Sequence, residues 1–264
     1  NAGLNPEEID LIIVATMSPD YLSPSTANLI QANLKATNAA AMDIQAACTG
    51  FLYALSTAKA FIESKTYQNV LVIASEKMSS FIDYEDRNTC VLFGDGAAAA
   101  IITSKGEGLQ IDALCLGSDG QYANLFMMPA GGSRQPASLS TVSNKEHFFK
   151  MSGNELFKHA VRRMSSAAQD CLKKADLKDH ELSWLVPHQA NIRIINAMAK
   201  NFNISEEKVF QTLHKYGNTS GSSIAIALDE LMKEQKIHEG EHLLLIAFGA
   251  GLTWGASILT KVME

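Results

Sequence analysis

A cysteine stands where a short strand-like segment meets a long apolar helix. Cys48 lies in "AACTGF", and the helix that follows is apolar almost all round, which indicates that it is buried. The N–H groups at the start of such a helix favour an anion, and for a cysteine they favour the thiolate. Cys48 is therefore a candidate nucleophile for covalent catalysis. The alternative is a small, inert core residue, because free cysteine is among the most buried residue types.

Two polar residues in the second half of the chain are candidate partners for this thiol. His188 in "WLVPHQANIR" follows a strand, where side chains of a parallel sheet reach a ligand crevice. Asn218 in "KYGNTSGSS" lies in a turn that leads into a helix. The ordinary interpretations are a capped or core histidine and an asparagine that simply forms a turn.

A weak internal repeat indicates how these residues are brought together. "LNPEEIDLIIVA" from Leu4 and "LKDHELSWLVPH" from Leu177 share one layout, and "VLVIAS" from Val70 matches "LLLIAF" from Leu243 at the same offset. The strands are solid apolar runs, which predicts an α/β fold with helices on both faces of its sheets. We expect two related halves, residues 1–115 and 116–264. The Gly-, Ser- and Pro-rich stretch 117–149 between them is expected to be a binding loop or lid.

Composition narrows the classes of function. The 264 residues carry a formal net charge of −6, which argues against nucleic acid as a bulk partner. The sequence contains neither a transmembrane run nor a signal segment, and its four cysteines have no paired spacing, so reduced thiols in the cytoplasm are expected. The "FGDGAAAA" segment lacks a phosphate-loop pattern, and no metal-binding spacing is present.

Four motifs in order, "AACTGF", "PHQANIR", "YGNTSGSS" and "FGAGLTWG", resemble those of the β-ketoacyl-[acyl-carrier-protein] synthase III family. The resemblance covers essentially the whole chain. It implies a thiolase-like fold, a duplicated five-layered αβαβα arrangement with pseudo-twofold related halves. Family members begin earlier, so the sequence is expected to lack roughly 60 residues holding a first strand and helix, together with a tryptophan that stacks on adenine.

The resemblance also implies a mechanism. Cys48 would take an acetyl group from acetyl-CoA, with the backbone N–H groups of Cys48 and Ala250 forming the oxyanion hole. His188 and Asn218 would hydrogen-bond the thioester carbonyl of malonyl-ACP and stabilise the enolate formed as CO2 leaves. CoA thioesters would be substrates, and no separate cofactor or metal is expected.

Further positions follow from the resemblance. Arg87 matches an arginine against the CoA adenine, Asn191 and Arg193 match the mouth of the pantetheine channel, and Gly153 and Phe157 match its wall. Arg193 would also suit an acidic carrier protein. Ser23 replaces a bulky aromatic near the acyl pocket of a partner subunit. It would admit a longer or branched primer, unless Leu22 or Tyr21 fills the same space.

The expected assembly is a homodimer that extends one sheet through the strand "VLVIASE" of each subunit. The expected partners are acyl carrier protein and acyl-CoA, with no membrane and no nucleic acid. Related condensing enzymes, including those of secondary metabolism and those resembling chalcone synthase or hydroxymethylglutaryl-CoA synthase, remain alternatives. A cysteine acyl hydrolase would need a GxCxG elbow and an acid, and Ala46 stands at the first glycine. A non-catalytic relative would be expected to lose Cys48, His188 or Asn218, and the sequence has all three.

Overall fold

The computed structural model describes residues 2–263 as alternating strands and helices. Two four-stranded sheets form the frame, and a two-stranded ribbon lies beside them. The strands are β1 Leu11–Ala15, β2 Ala40–Ile44, β3 Asn69–Lys77, β4 Asp95–Thr103, β5 Gly108–Ser118, β6 Phe126–Met127, β7 Lys150–Met151, β8 Leu182–Pro187, β9 His242–Gly249 and β10 Thr253–Val262. The α-helices are α1 Thr26–Leu34, α2 Gly50–Glu63, α3 Leu139–Ser143, α4 Gly153–Ala175, α5 Ile192–Asn201, α6 Leu213–Tyr216 and α7 Ser223–Glu234.

The first sheet has the order β2-β1-β3-β4. Strand β1 pairs parallel with both β2 and β3, and β4 runs antiparallel to β3. All five residues of β1 are buried, as its solid apolar sequence "LIIVA" predicts for a strand covered on both faces. Ile12 and Val14 pack on the side of α1, whereas Leu11 and Ile13 pack with α2 and α7.

The second sheet has the order β5-β10-β9-β8, with β8 and β9 parallel and the remaining pairs antiparallel. Helices α2 and α7 share one buried cluster with strands of both sheets, so they form the middle layer. Helices α4 and α5 pack on the outer face of the second sheet, and α1 packs on the outer face of the first. This gives five layers in the order α, β, α, β, α, which confirms the expected fold class.

The repeat is visible in the backbone as well as in the sequence. Each half has a short 3-10 turn that leads directly into its central helix, Ala47–Thr49 before α2 and Ser220–Ser222 before α7. The first residue of each turn adopts a left-handed backbone, with φ of 47° at Ala47 and 51° at Ser220. The spacing between these two positions equals the spacing between Leu4 and Leu177, the starts of the sequence repeat.

The structure differs from the sequence expectations in three places. The change of sheet falls between β4 and β5, earlier than the boundary expected after residue 115, because β5 hydrogen-bonds to β10. The expectation that "VLVIASE" extends a sheet between subunits is wrong, because β3 already pairs on one side with β1 and on the other with β4. The stretch 117–149, expected as a binding loop or lid, contains α3 and β6, and β6 pairs with β7. Each helix within residues 2–263 is too short or too polar to span a lipid bilayer.

Candidate active site

Cys48 lies in the 3-10 turn before α2, and its side chain is buried, with 4% exposed. The left-handed residue Ala47 precedes it, and the Thr49 hydroxyl that follows donates to the carbonyl of Ala46 at 2.6 Å. The Cys48 thiol lies 3.6 Å from the hydroxyl oxygen of Ser220, in the equivalent turn of the other half. Burial raises the pKa of Cys48 to about 12, and the nearby charge of Glu76 adds to this increase. The resting group is therefore a thiol.

His188 follows β8, and its backbone N–H donates to Ile246 of the neighbouring strand at 2.7 Å. The imidazole is 2% exposed, and burial lowers its pKa to about 3, so the ring is neutral near pH 7. Its Nδ1 lies 2.6 Å from the hydroxyl of Ser223, which also accepts the backbone N–H of Gln189. Donation by the Ser223 hydroxyl to Nδ1 corresponds to the tautomer whose ring proton is on Nε2.

Asn218 is held by its own turn and by the segment before β4. Its backbone N–H donates to Leu92 at 2.8 Å, and its carbonyl accepts the N–H of Gly94 at 3.0 Å. The side-chain oxygen Oδ1 accepts the backbone N–H of Ser220 at 2.8 Å. This bond fixes the amide orientation and leaves the NH2 group as the donor available to a ligand.

These three side chains line one cavity of about 90 Å3. Its remaining walls are largely apolar, formed by Leu92, Phe93, Phe126, Leu156, Ile194 and Phe248. A largely apolar cavity with a thiol, an imidazole and a carboxamide on its surface strengthens hydrogen bonds to developing charge. The structure thus brings Cys48 of the first half together with His188 and Asn218 of the second.

Three of the weaker sequence predictions also line this cavity, namely Gly153, Phe157 and Asn191. Asn191 caps α5 by accepting the N–H of Ile194 at 3.0 Å. Arg193 is exposed on the same helix, and its guanidinium carbon lies 4.9 Å from the centre of the Phe157 ring. The four predicted residues therefore form one rim, defined by the starts of α4 and α5.

The Gly-rich turn between β9 and β10 packs directly against Cys48. A Cβ atom at Gly249 would lie 2.7 Å from the backbone nitrogen of Cys48 and 3.2 Å from its Cβ, so only glycine fits. The Thr253 hydroxyl lies 3.2 Å from the carbonyl of Ala46 and 3.1 Å from that of Ala250. These contacts hold the turn containing Ala250 beside the turn containing Cys48.

Two predicted positions lie away from the cavity. Arg87 is exposed in a turn before β4, and Ser23 is exposed before α1; neither belongs to the lining. Tyr21 and Leu22 are 61% and 92% exposed, so neither fills a pocket within this chain. Among the described residues, no group of three or more candidate metal ligands is present.

Sequence reasoning missed three residues of the site: Glu76, Ser220 and Ser223. Glu76 is 4% exposed at the end of β3, and its carboxylate lies 3.2 Å from the Ser220 hydroxyl. A carboxylate that ends an apolar strand, "VLVIASE", was the available signal. Ser220 could have been found as the repeat equivalent of Ala47, whereas nothing in "GSS" distinguishes Ser223 from its neighbours.

Comparison of the sequence with known proteins identifies a family of condensing enzymes. A family model described as 3-oxoacyl-[acyl-carrier-protein (ACP)] synthase III matches residues 42–120, and the model for its C-terminal part matches residues 172–261. The β-ketoacyl-[acyl-carrier-protein] synthase III of Chlamydia caviae is 56% identical over 99% of this chain and 78% of its own length. That of Caldanaerobacter subterraneus is 49% identical over 98% of this chain and 78% of its own length.

Solved structures give the same result. The crystal structure of 3-oxoacyl-[acyl-carrier-protein] synthase III from Aquifex aeolicus superposes with a TM-score of 0.89 at 48% identity, covering 98% of this chain and 79% of that one. The priming β-ketosynthase of the R1128 polyketide pathway superposes with a TM-score of 0.88 at 35% identity, over 98% of this chain and 77% of that one. The chain belongs to the β-ketoacyl-[acyl-carrier-protein] synthase III family and is an acyltransferase-type condensing enzyme that initiates fatty acid synthesis.

Proposed function

We propose that the chain transfers a short acyl group, acetyl in the first instance, from its CoA thioester to Cys48 and then condenses it with malonyl-ACP. The products are a 3-oxoacyl-ACP, CoA and CO2. The observation that carries this proposal is the meeting of Cys48, His188 and Asn218 in one buried, apolar cavity.

In the first half-reaction, the sulfur of Cys48 attacks the thioester carbonyl and CoA departs as its thiol. The carbonyl oxygen gains negative charge in the tetrahedral intermediate, and the backbone N–H groups of Cys48 and Ala250 are the proposed donors to it. The close seating of Gly249 on Cys48 supports this assignment, because it sets the two turns side by side.

In the second half-reaction, malonyl-ACP loses CO2 and the resulting enolate attacks the acyl-Cys48 carbonyl. His188 through Nε2–H and Asn218 through its NH2 group donate to the enolate oxygen. A neutral imidazole suits this role, since it donates one hydrogen bond without having to lose a proton near pH 7. Asparagine cannot take a proton at this pH, so its contribution is electrostatic.

The rim formed by Gly153, Phe157, Asn191 and Arg193 is the proposed entrance for the pantetheine arm of CoA or of the carrier protein. Arg193 offers a positive charge to an acidic carrier protein, and Phe157 orients that charge by cation–π contact. Arg87 is proposed to contact the adenine of CoA outside the cavity. No cofactor is needed, because the thioesters themselves supply the leaving groups and the carbanion.

We also propose a cytoplasmic homodimer. The four cysteines are free thiols, which suits a reducing compartment. Strand β2 is an outer strand of the first sheet and is the better candidate for pairing across a twofold axis. Ser23 then bears on primer choice only through the neighbouring subunit, consistent with its exposure here.

A test of the proposed reaction is to incubate the protein with acetyl-CoA and longer acyl-CoAs and record the intact mass. Wild type should gain one acetyl group, Cys48→Ala should gain none, and Cys90→Ala is the matched control. His188→Ala and Asn218→Ala should still be acetylated but should release little CO2 from malonyl-ACP. If no thioester labels wild type, Cys48 is structural and the proposal fails.

A second candidate is priming in secondary metabolism, because the R1128 priming β-ketosynthase shares 35% identity and the fold. Labelling only by longer or branched acyl-CoA, or turnover only with a polyketide carrier protein, would favour it. A cysteine hydrolase is disfavoured, because Nδ1 of His188 faces a serine hydroxyl where a hydrolase would present an acid.

A further inference from the structure

Glu76 is a buried carboxylate that the acylation and condensation steps described above do not use. It lies near the end of β3 with 4% exposure. Its Oε2 accepts the hydroxyl of Ser18 at 2.7 Å and the backbone N–H of Met17 at 3.1 Å. Its Oε1 faces the opposite way and accepts the hydroxyl of Ser220 at 3.2 Å. One oxygen is thus fixed to the segment after β1, and the other is directed at the active site.

Ser220 connects this carboxylate to the nucleophile. Its hydroxyl lies 3.2 Å from Glu76 and 3.6 Å from the sulfur of Cys48, and its side chain is fully buried. The sulfur of Met17, 3.0 Å away, is a weaker acceptor for this hydroxyl than a carboxylate is. The residue is held in the left-handed region at φ 51°, an unfavourable conformation for a non-glycine residue. The donor directions form one chain, from the Cys48 thiol to the Ser220 oxygen and from the Ser220 hydroxyl to the Glu76 carboxylate.

We infer that Glu76 is the proton acceptor for the Cys48 thiol, acting through the hydroxyl of Ser220. The inference rests on the proposed acyl transfer to Cys48. Glu76 acts through Ser220 and does not touch the reacting sulfur, whereas the Ser220 hydroxyl does. The proton moves from Cys48 through Ser220 to Glu76, and the negative charge moves from Glu76 to Cys48. The net charge of the buried site therefore stays the same.

The alternative base in the cavity is poorly placed for this task. Burial lowers the pKa of His188 to about 3, and its Nδ1 is engaged by Ser223. Burial has the opposite effect on Glu76: it raises the pKa of the carboxyl group, which makes the carboxylate a stronger base than a solvated one. Burial and the charge of Glu76 also keep Cys48 protonated at rest, so its proton must leave as the new bond forms.

The Cys48 sulfur forms a bond to the acyl carbon while its proton passes to Ser220 and the Ser220 proton passes to Glu76. The tetrahedral intermediate then collapses, and the bond between the acyl carbon and the CoA sulfur breaks. The proton held on Glu76 returns through Ser220 to the departing CoA thiolate, which restores the carboxylate and leaves acyl-Cys48 and CoA thiol.

The titratable groups around Glu76 determine how the test is read. Cys48 is linked to it through Ser220, and His188 lies in the same cavity as Cys48. Strand β4 contributes Asp95, which binds Ser79 near the surface, and Lys77 follows on β3 with an exposed side chain. Across pH 6–9, Glu76 and Cys48 are therefore the two groups on the proposed path of the proton.

The experiment measures the rate of Cys48 acetylation by acetyl-CoA, and of its alkylation by iodoacetamide, from pH 6 to pH 9 by intact mass. In wild type, both rates should level off once Glu76 is ionised. In Glu76→Gln, the rates should fall about 100-fold at pH 7 and rise about tenfold per pH unit, because only spontaneous ionisation then supplies thiolate. Ser220→Ala should show the same slope, and Glu76→Asp should regain part of the level region.

A purely electrostatic role of Glu76 would give the opposite change in rate. If Glu76 acted only as a negative charge, its removal would make the thiol easier to ionise, and Glu76→Gln would react faster than wild type. A faster reaction, or equal slopes in both proteins, would overturn the relay. Ser18→Ala removes a comparable bond on the far side of the carboxylate, so a loss as large as that of Ser220→Ala would assign the effect to disturbed packing.

Failure of the relay and failure of the proposed function remain distinguishable. If wild type is not labelled by any acyl-CoA, the acyl-transfer proposal fails, while the iodoacetamide profile still reports on the thiol. If wild type is acetylated with the same pH slope as Glu76→Gln, acyl transfer stands and the relay fails. Should Glu76→Gln not fold, as judged by circular dichroism, Ser220→Ala decides the outcome by the same slope.

Discussion

The buried imidazole of His188 makes the stability of the protein depend on acid pH in a calculable way. A histidine in the unfolded chain has a pKa of about 6.5, whereas burial lowers the pKa of His188 to about 3 in the folded protein. Below pH 6.5 the unfolded state therefore binds a proton that the folded state does not. The stabilisation is fully present above pH 6.5 and is lost as the pH falls toward 3.

The size of this effect follows from the two pKa values. At pH 5 the unfolded histidine is almost fully protonated and the folded one is not, which lowers the free energy of unfolding by about 2 kcal/mol relative to pH 7. The loss reaches about 4 kcal/mol at pH 3 and approaches its limit of about 5 kcal/mol only well below pH 3. Even the smaller loss at pH 5 is a large part of the stability of a typical domain.

The perturbation is His188→Gln, which removes the titrating ring while keeping a polar side chain beside Ser223. Urea unfolding at pH 7 and pH 5 gives a free energy for each protein. We expect wild type to lose about 2 kcal/mol more than His188→Gln between the two pH values. His180→Gln, which removes an exposed histidine, should follow wild type.

Equal losses in wild type and His188→Gln would refute the reasoning. They would mean that the folded protein protonates this ring as readily as the unfolded chain does. The site would then hold an imidazolium at mildly acid pH. The assignment of His188 as a neutral donor to the enolate oxygen would fail with it.

Three further predictions concern catalysis. Gly249→Ala should slow acetylation of Cys48 by about 100-fold, because the new methyl group displaces the turn that carries an oxyanion donor. The control is Gly132→Ala, whose Cβ would meet no atom within 4 Å. Equal acetylation rates in the two variants would contradict the close approach of Gly249 to Cys48. Asn218→Asp should leave the acetyl adduct intact and reduce CO2 release by at least about 100-fold, since a carboxylate repels the enolate; loss of the adduct instead would assign Asn218 to acylation. Arg193→Ala should raise KM for malonyl-ACP about tenfold with little change in KM for acetyl-CoA. Lys200→Ala, on the same helix, should change neither KM. An equal rise in KM for both substrates would contradict a role of Arg193 in docking the carrier protein.

The part of the fold that could be predicted is the part encoded by local patterns. Solid apolar runs predicted β1, β3 and β9, and the repeat offset related their halves correctly. The order of strands in a sheet is not local information. The segment "VLVIASE" has the composition of any buried strand, and only the pairing of β3 with β1 and β4 shows that it lies inside the sheet.

The same distinction applies to the candidate site. Cys48, His188 and Asn218 stand at ends of predicted elements, so their meeting could be anticipated from topology. Glu76 and Ser220 could not, because their importance depends on two distances between segments that are far apart in sequence. Arg87 and Ser23 were carried over from a resemblance, and within a single chain neither reaches the cavity.

The two halves use one backbone device for different chemistry. Each supplies a left-handed residue before its central helix, Ala47 in the first half and Ser220 in the second. In the first half the next residue is Cys48, and the turn presents a nucleophile. In the second half the next residue is Gly221, and a Cβ there would lie 3.0 Å from the carbonyl oxygen of Ala47. The absence of a side chain at Gly221 lets the second turn approach the first, and this approach brings the Ser220 hydroxyl to the Cys48 sulfur. A Gly221→Ala variant should therefore separate the two turns and slow the alkylation of Cys48 by iodoacetamide, although the side chains of Cys48, Ser220 and Glu76 are unchanged.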